Sequence, residues 1–324
     1  MDEIRFGVLG CADIAARKTI PAITAAGHRV VAVASRDGAR AERFAARFGA
    51  EGVAGYAALL DRGDVDAVYV PLPLSMHAEW TAAALRAGRH VLVEKSLTGD
   101  AGTARDLVAL ARERGLLLME NFAFLHHAQH DAVRRLIADG AIGEVRSVTA
   151  EFGIPPGPPD AVRYDPALGG GCLLETGTYP VRAAQLFLGP DAEVAGAVLR
   201  RDGRGIDVDG AALLRDGAGV TAHCTFGFDH HYRCTYAVWG SAGRIALDWA
   251  FTPPPTVRPV LRLERRDLRE ERVLDADDQF RGMVTAFAAA VRTGEHAPHG
   301  AAIERQARLL EDVRTRAGGT RAER

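Results

Sequence analysis

Along the first 121 residues, short apolar runs alternate with segments of helical spacing. The runs "IRFGVLG", "RVVAVAS", "DAVYVPLP", "HVLVEKS" and "LLLMEN" have the length and the β-branched or apolar character of buried strands. Between them lie helical patterns over residues 14–26, in "GARAERFAARFG", in "SMHAEWTAAALRAG" and in "DAGTARDLVALARERG". The last two open on Ser or Asp and close on Gly, the residues that cap a helix at its two ends. Strand and helix in regular alternation specify βαβ units and a doubly wound parallel sheet, an α/β fold.

Past Asn121 the rhythm changes. A helix over residues 129–140 precedes the strand "EVRSVTAEFGI" and the irregular, proline-rich "PPGPPDAVRYDPALGGG". A helix over 172–188 is followed by "AEVAGAVLR", "DVDGAALLR", "GVTAHCTFGF", "CTYAVWG", "GRIALDW", "VRPVLRLERR" and "REERVL", with almost no helix between them. Adjacent strands joined by tight turns imply an open, mainly antiparallel sheet in a separate α+β domain. The pattern therefore divides the chain into a nucleotide-binding domain over 1–122 and a second domain over 123–324. The closing helical stretches at 279–292 and 302–316 fall in the second.

Composition narrows the function by exclusion. The 324 residues are 48% hydrophobic and 25% charged with a net charge of -2, so nothing marks a surface for nucleic acid or anionic membrane. No apolar run approaches the ~20 residues of a membrane span, and Met1 leads through two acids into a strand pattern rather than into a signal sequence. A cytoplasmic protein is expected. The four cysteines form no C-x-x-C pair and suggest neither zinc site nor disulfide framework. His126 and His130 stand four residues apart, with His127 between them, but no acid completes a zinc motif, and no metal is expected.

Candidate chemistry starts at the first strand. "GVLGCADIAA" places Gly10, Ala12 and Ala15 where a dinucleotide fingerprint has G-x-G-x-x-G or G-x-G-x-x-A, between a strand and a helix. The second strand ends "VASRDGAR". Ser35 and Arg36 stand where an NAD site carries an acid, and Arg40 follows one helical turn on, which selects NADP(H); Asp37 is the counter-signal. A further anomaly closes the run "HVLVEK". Of 40 basic side chains only Lys18 and Lys95 are lysines, and lysine can be shifted toward neutrality where arginine cannot. Lys95 is thus a candidate for acid/base work at the carboxyl edge of the parallel sheet, where doubly wound folds hold ligands.

Taken together, "GCADIA", "EKS" and "GGGCLLETGTYP" resemble the glucose-fructose oxidoreductase / inositol dehydrogenase (Gfo/Idh/MocA) family over nearly the whole length. Ser96 stands in place of the family's proline, Glu175 in place of an aspartate and Tyr179 in place of a histidine. The tyrosine and the segment from Asn121 to Ser147 are most similar to the branch holding NDP-hexose 3-ketoreductases of deoxysugar and antibiotic biosynthesis.

The resemblance implies a Rossmann domain that binds NADP(H) through Gly10, Cys11, Ala12, Asp13, Ile14, Ser35, Arg36, Arg40, Pro71, Leu72, His77, Glu94, Lys95 and Asn121. It implies substrate contacts from His127, Arg163, Glu175 and Tyr179, with Arg163 suited to a diphosphate. Lys95 and Tyr179 are the catalytic pair. Ketone reduction needs a proton at the oxygen that becomes alkoxide-like, and a tyrosine donates more readily when a lysine ammonium stabilises its phenolate. The expected activity is NADPH-dependent reduction of a keto group, at C3, on a dTDP-type nucleotide-linked deoxy sugar. A dehydrogenase of free sugars or trans-dihydrodiols and a non-catalytic nucleotide sensor stay open. The resemblance also implies a homodimer or homotetramer formed through the C-terminal sheet.

Overall fold

In the computed structural model, which describes residues 3–318, six strands form one parallel sheet. They are β1 (Arg5–Leu9), β2 (Arg29–Ser35), β3 (Glu51–Ala54), β4 (Ala67–Val70), β5 (His90–Glu94) and β6 (Leu118–Asn121), in the order β3-β2-β1-β4-β5-β6. The helices between them are α1 (Ile20–Ala25), α2 (Gly38–Ala46), α3 (Tyr56–Leu60), α4 (His77–Arg86) and α5 (Ala101–Glu113). The strand order reverses between β1 and β4, so the chain leaves neighbouring strands in opposite directions and opens a crevice at their carboxyl ends. All four residues of β4 are buried, as expected for a strand covered on both faces.

Two local features escaped the hydrophobic pattern. β3 is a four-residue edge strand without an apolar run, held close under α2; a Cβ on Gly52 would lie 2.3 Å from the Glu42 backbone. Ahead of α1, residues 15–19 form a π-helical turn rather than α-helix.

The second unit begins with α6 (Ala128–Ala138) and β7 (Val145–Gly153). After the irregular segment come α7 (Thr178–Leu188) and the strands β8 (Glu193–Arg201), β9 (Asp207–Arg215), β10 (Thr221–Gly227), β11 (Arg233–Gly240), β12 (Gly243–Asp248), β13 (Val260–Arg265) and β14 (Leu268–Val273). Eight strands form one sheet in the order β14-β13-β12-β11-β7-β10-β9-β8, antiparallel throughout except for β7 with β10. Alternation is strict: Val208, Ala212 and Leu214 of β9 and Ala222, Cys224 and Phe226 of β10 are buried on the face that α7 covers.

The contact boundary differs from the one read in the sequence. The first unit runs to His126 and takes back Phe280–Ala307, which holds most of α8 (Gln279–Thr293) and the first half of α9 (Ala297–Gly318). Met283, Val284 and Phe287 of α8 share a core with Phe6, Val8, Ile23 and Leu92, with the rings of Phe6 and Phe287 5.6 Å apart. An amphipathic stripe says that a helix buries one face, not against which sheet. Among the described residues no helix is long and apolar enough to cross a membrane.

Candidate active site

The turn after β1 is built for close approach. Gly10 has φ +110°, its N–H donates to the Ala34 carbonyl at 2.8 Å, and a Cβ there would lie 2.9 Å from a methyl of Leu72. At the end of β2, Asp37 caps α2: its carboxylate accepts the Arg40 N–H at 3.1 Å, while its own N–H donates to the Ser35 hydroxyl at 3.2 Å. The acid that argued for NAD is therefore committed to a helix cap. Arg36 is exposed and holds no ion pair among the described residues, so its guanidinium is available at the end of β2. Arg40 donates to the Cys11 carbonyl at 3.2 Å and ties the first turn to the second. Asp13 pairs with Arg17 at 2.5 Å, and burial pushes the Cys11 thiol up. A glycine-only turn, a helix start and a free guanidinium at the end of β2 fit a 2′-phosphorylated dinucleotide.

The carboxyl end of β5 carries a second constellation. Oε1 of Glu94 accepts from the Tyr69 hydroxyl at 2.6 Å and from Nδ2 of Asn121 at 2.7 Å, and Thr19 in turn donates to the Tyr69 oxygen at 3.0 Å. Three elements converge here: the π turn supplies Thr19, β4 Tyr69, and β6 Asn121. Burial, then the Glu94 charge, holds the Tyr69 hydroxyl well above its ordinary pKa, so it stays a donor. Lys95 follows, half-buried, and the Lys95–Ser96 peptide is cis although residue 96 is not proline. His77, 2% exposed, has both ring nitrogens on backbone carbonyls: Nδ1 lies 2.8 Å from the Ser96 oxygen and Nε2 2.7 Å from that of Leu72. Its ring thus has no nitrogen turned outward, unlike the cofactor ligand that the resemblance implied.

In the second unit a π turn at Leu173–Gly177 leads into α7 and presents Tyr179. Asp207 anchors the turn by accepting the Leu173 N–H at 2.6 Å, and Gly177 lies flat on the Phe226 ring, which a Cβ would meet at 2.8 Å. The Tyr179 ring stands edge-on to Phe152, centroids 5.0 Å apart, and 5.8 Å from Phe251. From Phe152 the aromatic wall continues to Tyr232 at 6.4 Å and from there to Trp249 at 5.3 Å. Trp249 is 42% exposed and has φ 56°, a left-handed conformation that a bulky residue rarely adopts. Arg163 and Glu175 are brought together in an ion pair of 3.2 Å, with the guanidinium 5.4 Å over the Phe228 ring.

The histidines separate. His127 caps α6 by accepting the Gln129 N–H on Nδ1 at 3.1 Å, which leaves Nε2 as its remaining donor; the ring is 1% exposed and burial holds its pKa down. His130 stacks on Tyr236, its Nδ1 2.9 Å from that hydroxyl. Sequence reasoning missed Tyr69, Thr19, Tyr232 and Trp249. A tyrosine in the middle of the buried run "AVYV" was the available signal, since a buried hydroxyl needs a partner.

The family model described as the oxidoreductase family with an NAD-binding Rossmann fold matches residues 4–122, and that of the GFO/IDH/MocA C-terminal domain matches 130–246. The chain belongs to the Gfo/Idh/MocA family of oxidoreductases. It is 55% identical over 315 residues to dTDP-3,4-didehydro-2,6-dideoxy-alpha-D-glucose 3-reductase of Streptomyces antibioticus, covering 96% of each chain. It is 38% identical to D-xylose 1-dehydrogenase (NADP(+)) 2 of Haloferax volcanii, over 90% of each. Among solved structures of the family, the crystal structure of a 3-ketoreductase from Actinomadura kijaniata in complex with NADP and TDP-benzene is 54% identical, with a TM-score of 0.94 over 97% of this chain and 98% of that one. Variants of the same ketoreductase, with one lysine and one tyrosine replaced, have also been solved. Those two residues stand as far apart in that chain as Lys95 and Tyr179 do in this one.

Proposed function

We propose that this chain is an NADPH-dependent 3-ketoreductase acting on a dTDP-linked deoxy keto sugar. The observation that carries the proposal is that Lys95, just past β5, and Tyr179, at the start of α7, stand at the same spacing along the chain as the lysine and tyrosine replaced in the related ketoreductase. When bound, NADPH supplies a hydride to the carbonyl carbon. Tyr179 gives its phenolic proton to the carbonyl oxygen as negative charge develops there, and the Lys95 ammonium stabilises that charge. Gly10 with Cys11, Ala12, Asp13 and Ile14 forms the pyrophosphate turn. Ser35, Arg36 and Arg40 take the ribose phosphate end. Pro71, Leu72, Glu94 and Asn121 border the nicotinamide end. Arg163, held by Glu175, meets the substrate diphosphate, whereas His127, implied as a substrate contact by the resemblance, has its Nε2 buried away from the surface.

The relationship to a D-xylose dehydrogenase supports a second reading, NADP-dependent oxidation of a free sugar. Incubating the protein with NADPH or NADH and a panel of keto sugars, free and dTDP-linked, separates the two. Turnover of the dTDP-linked ketone with NADPH, lost preferentially over NADH turnover in Arg36→Ala, supports the proposal. Turnover of free sugars alone supports the dehydrogenase. The same proposal places the enzyme in the cytoplasm, where NADPH is regenerated, as a homodimer or homotetramer. Its oligomer face is the outward surface of the eight-stranded sheet, where Trp239 is 64% and Val198 58% exposed.

A further inference from the structure

His77 occupies a position that the reaction does not explain. It opens α4, its side chain is buried, and its two nitrogens face two backbone carbonyls on different loops. A carbonyl oxygen only accepts, so the two contacts together call for an N–H on each nitrogen, the doubly protonated ring, which the Glu94 carboxylate favours and burial and Lys95 oppose. The two carbonyls are not arbitrary. Ser96 follows Lys95 directly, so fixing the Ser96 carbonyl fixes the backbone from which the lysine projects. Leu72 lies against the Gly10 turn, where a Cβ would come within 2.9 Å of its methyl, so fixing the Leu72 carbonyl fixes the residue that covers the nucleotide turn. Ser96 is itself 2% exposed, which leaves its carbonyl no water as a substitute partner.

From this geometry we infer that His77 is a positioning residue for the reduction: Nδ1 sets Lys95 through Ser96, and Nε2 sets the nucleotide turn through Leu72. The inference rests on the ketoreductase reading, in which Lys95 acts on the substrate. It assigns the two nitrogens to separable tasks. Asparagine places an amide nitrogen where histidine has Nδ1, and glutamine places one where histidine has Nε2. Each keeps one tie and loses the other.

The test compares NADPH dissociation constants, measured by fluorescence, with kcat for H77N and H77Q. H77Q, which loses the Ser96 tie, is expected to drop kcat by about 10- to 100-fold through misplacement of Lys95 while binding NADPH nearly as wild type does. H77N, which loses the Leu72 tie, is expected to weaken NADPH about three- to tenfold with a smaller change in kcat. Equal losses of both quantities in both variants, or wild-type behaviour in both, overturn the inference. Wild-type protein allows a parallel test without substitution. On adding NADPH, hydrogen exchange over residues 71–77 and 94–98 should slow together, and protection of the first segment alone overturns it. NADPH binding and exchange do not depend on the substrate, so a wild-type enzyme that fails to reduce any dTDP-linked ketone condemns the ketoreductase reading instead.

Discussion

The Tyr69 hydroxyl lies 2.6 Å from Oε1 of Glu94 and makes a buried tyrosine, in the middle of a parallel strand, the donor that holds a carboxylate at the edge of the nucleotide crevice. Thr19 completes the chain from the other side, so the helical turn after the fingerprint and the strand ending on Glu94 are joined through one phenol.

Tyr69→Phe keeps the ring and removes this link. Glu94 keeps Asn121 but loses a donor, and Thr19 loses its acceptor. A hydrogen bond to a charged group is worth about 1.5–3 kcal/mol, so a fall in stability of that order is expected, with NADPH bound about three- to tenfold more weakly. Denaturant unfolding and cofactor titration of the variant check both.

Trp249 and Tyr232 extend the wall behind Tyr179 into solvent, as a shelf for a flat ring. If the thymine of the substrate stacks there, Trp249→Ala should raise KM for a dTDP-linked ketone by about five- to 150-fold, the range of a lost base–aromatic stack of ~1–3 kcal/mol. NADPH affinity should not change. Steady-state kinetics with both substrates varied is the check.

The legibility of the chain follows from what each feature is made of. The doubly wound half was readable because its strands are continuous apolar runs with capped helices between them, and the second sheet because its strands alternate. β3 was not, since a short edge strand against α2 needs a glycine at position 52 rather than an apolar run. α8 was found as a helix but counted with the second domain, because its partner Phe6 lies far away in sequence. At the site, the hydrogen bond between Glu94 and Asn121 was not legible in the sequence, and Asp37, the counter-signal to NADP(H), caps α2.

Buried histidines make stability depend on pH. Burial lowers the pKa of His28, His90 and His127, and Nδ1 of His28 accepts the Ile4 N–H at 3.2 Å, which requires the neutral ring. Below the ordinary value of about 6.5 the unfolded chain binds protons that the folded one refuses, so stability falls as pH drops through that point and levels off below the folded-state values. Tm measured from pH 8 to 5.5 should decline on the acid side, and His28→Asn, which keeps an acceptor but cannot titrate, should flatten the decline.

Lys95→Ala and Tyr179→Phe divide the catalytic labour. Loss of the lysine should lower kcat by about 10² or more while NADPH still binds, because the ammonium acts on charge that develops in the transition state. Loss of the phenol should cost ~10² to 10⁴ in rate at unchanged Tm, since no cavity is made. A small loss in Tyr179→Phe beside a large one in Lys95→Ala makes the lysine the proton donor.

Hydride transfer itself can be followed with NADPH carrying deuterium at both C4 positions and dTDP-3,4-didehydro-2,6-dideoxyglucose as the acceptor, with the product read by NMR and mass spectrometry. One deuterium at C3 of the sugar, present with wild type and absent with the Lys95→Ala, Tyr179→Phe double variant, is the expected result. A product with no deuterium, deuterium at another carbon, or equal labelling by the double variant contradicts the assignment of this chain as a 3-ketoreductase working through that pair.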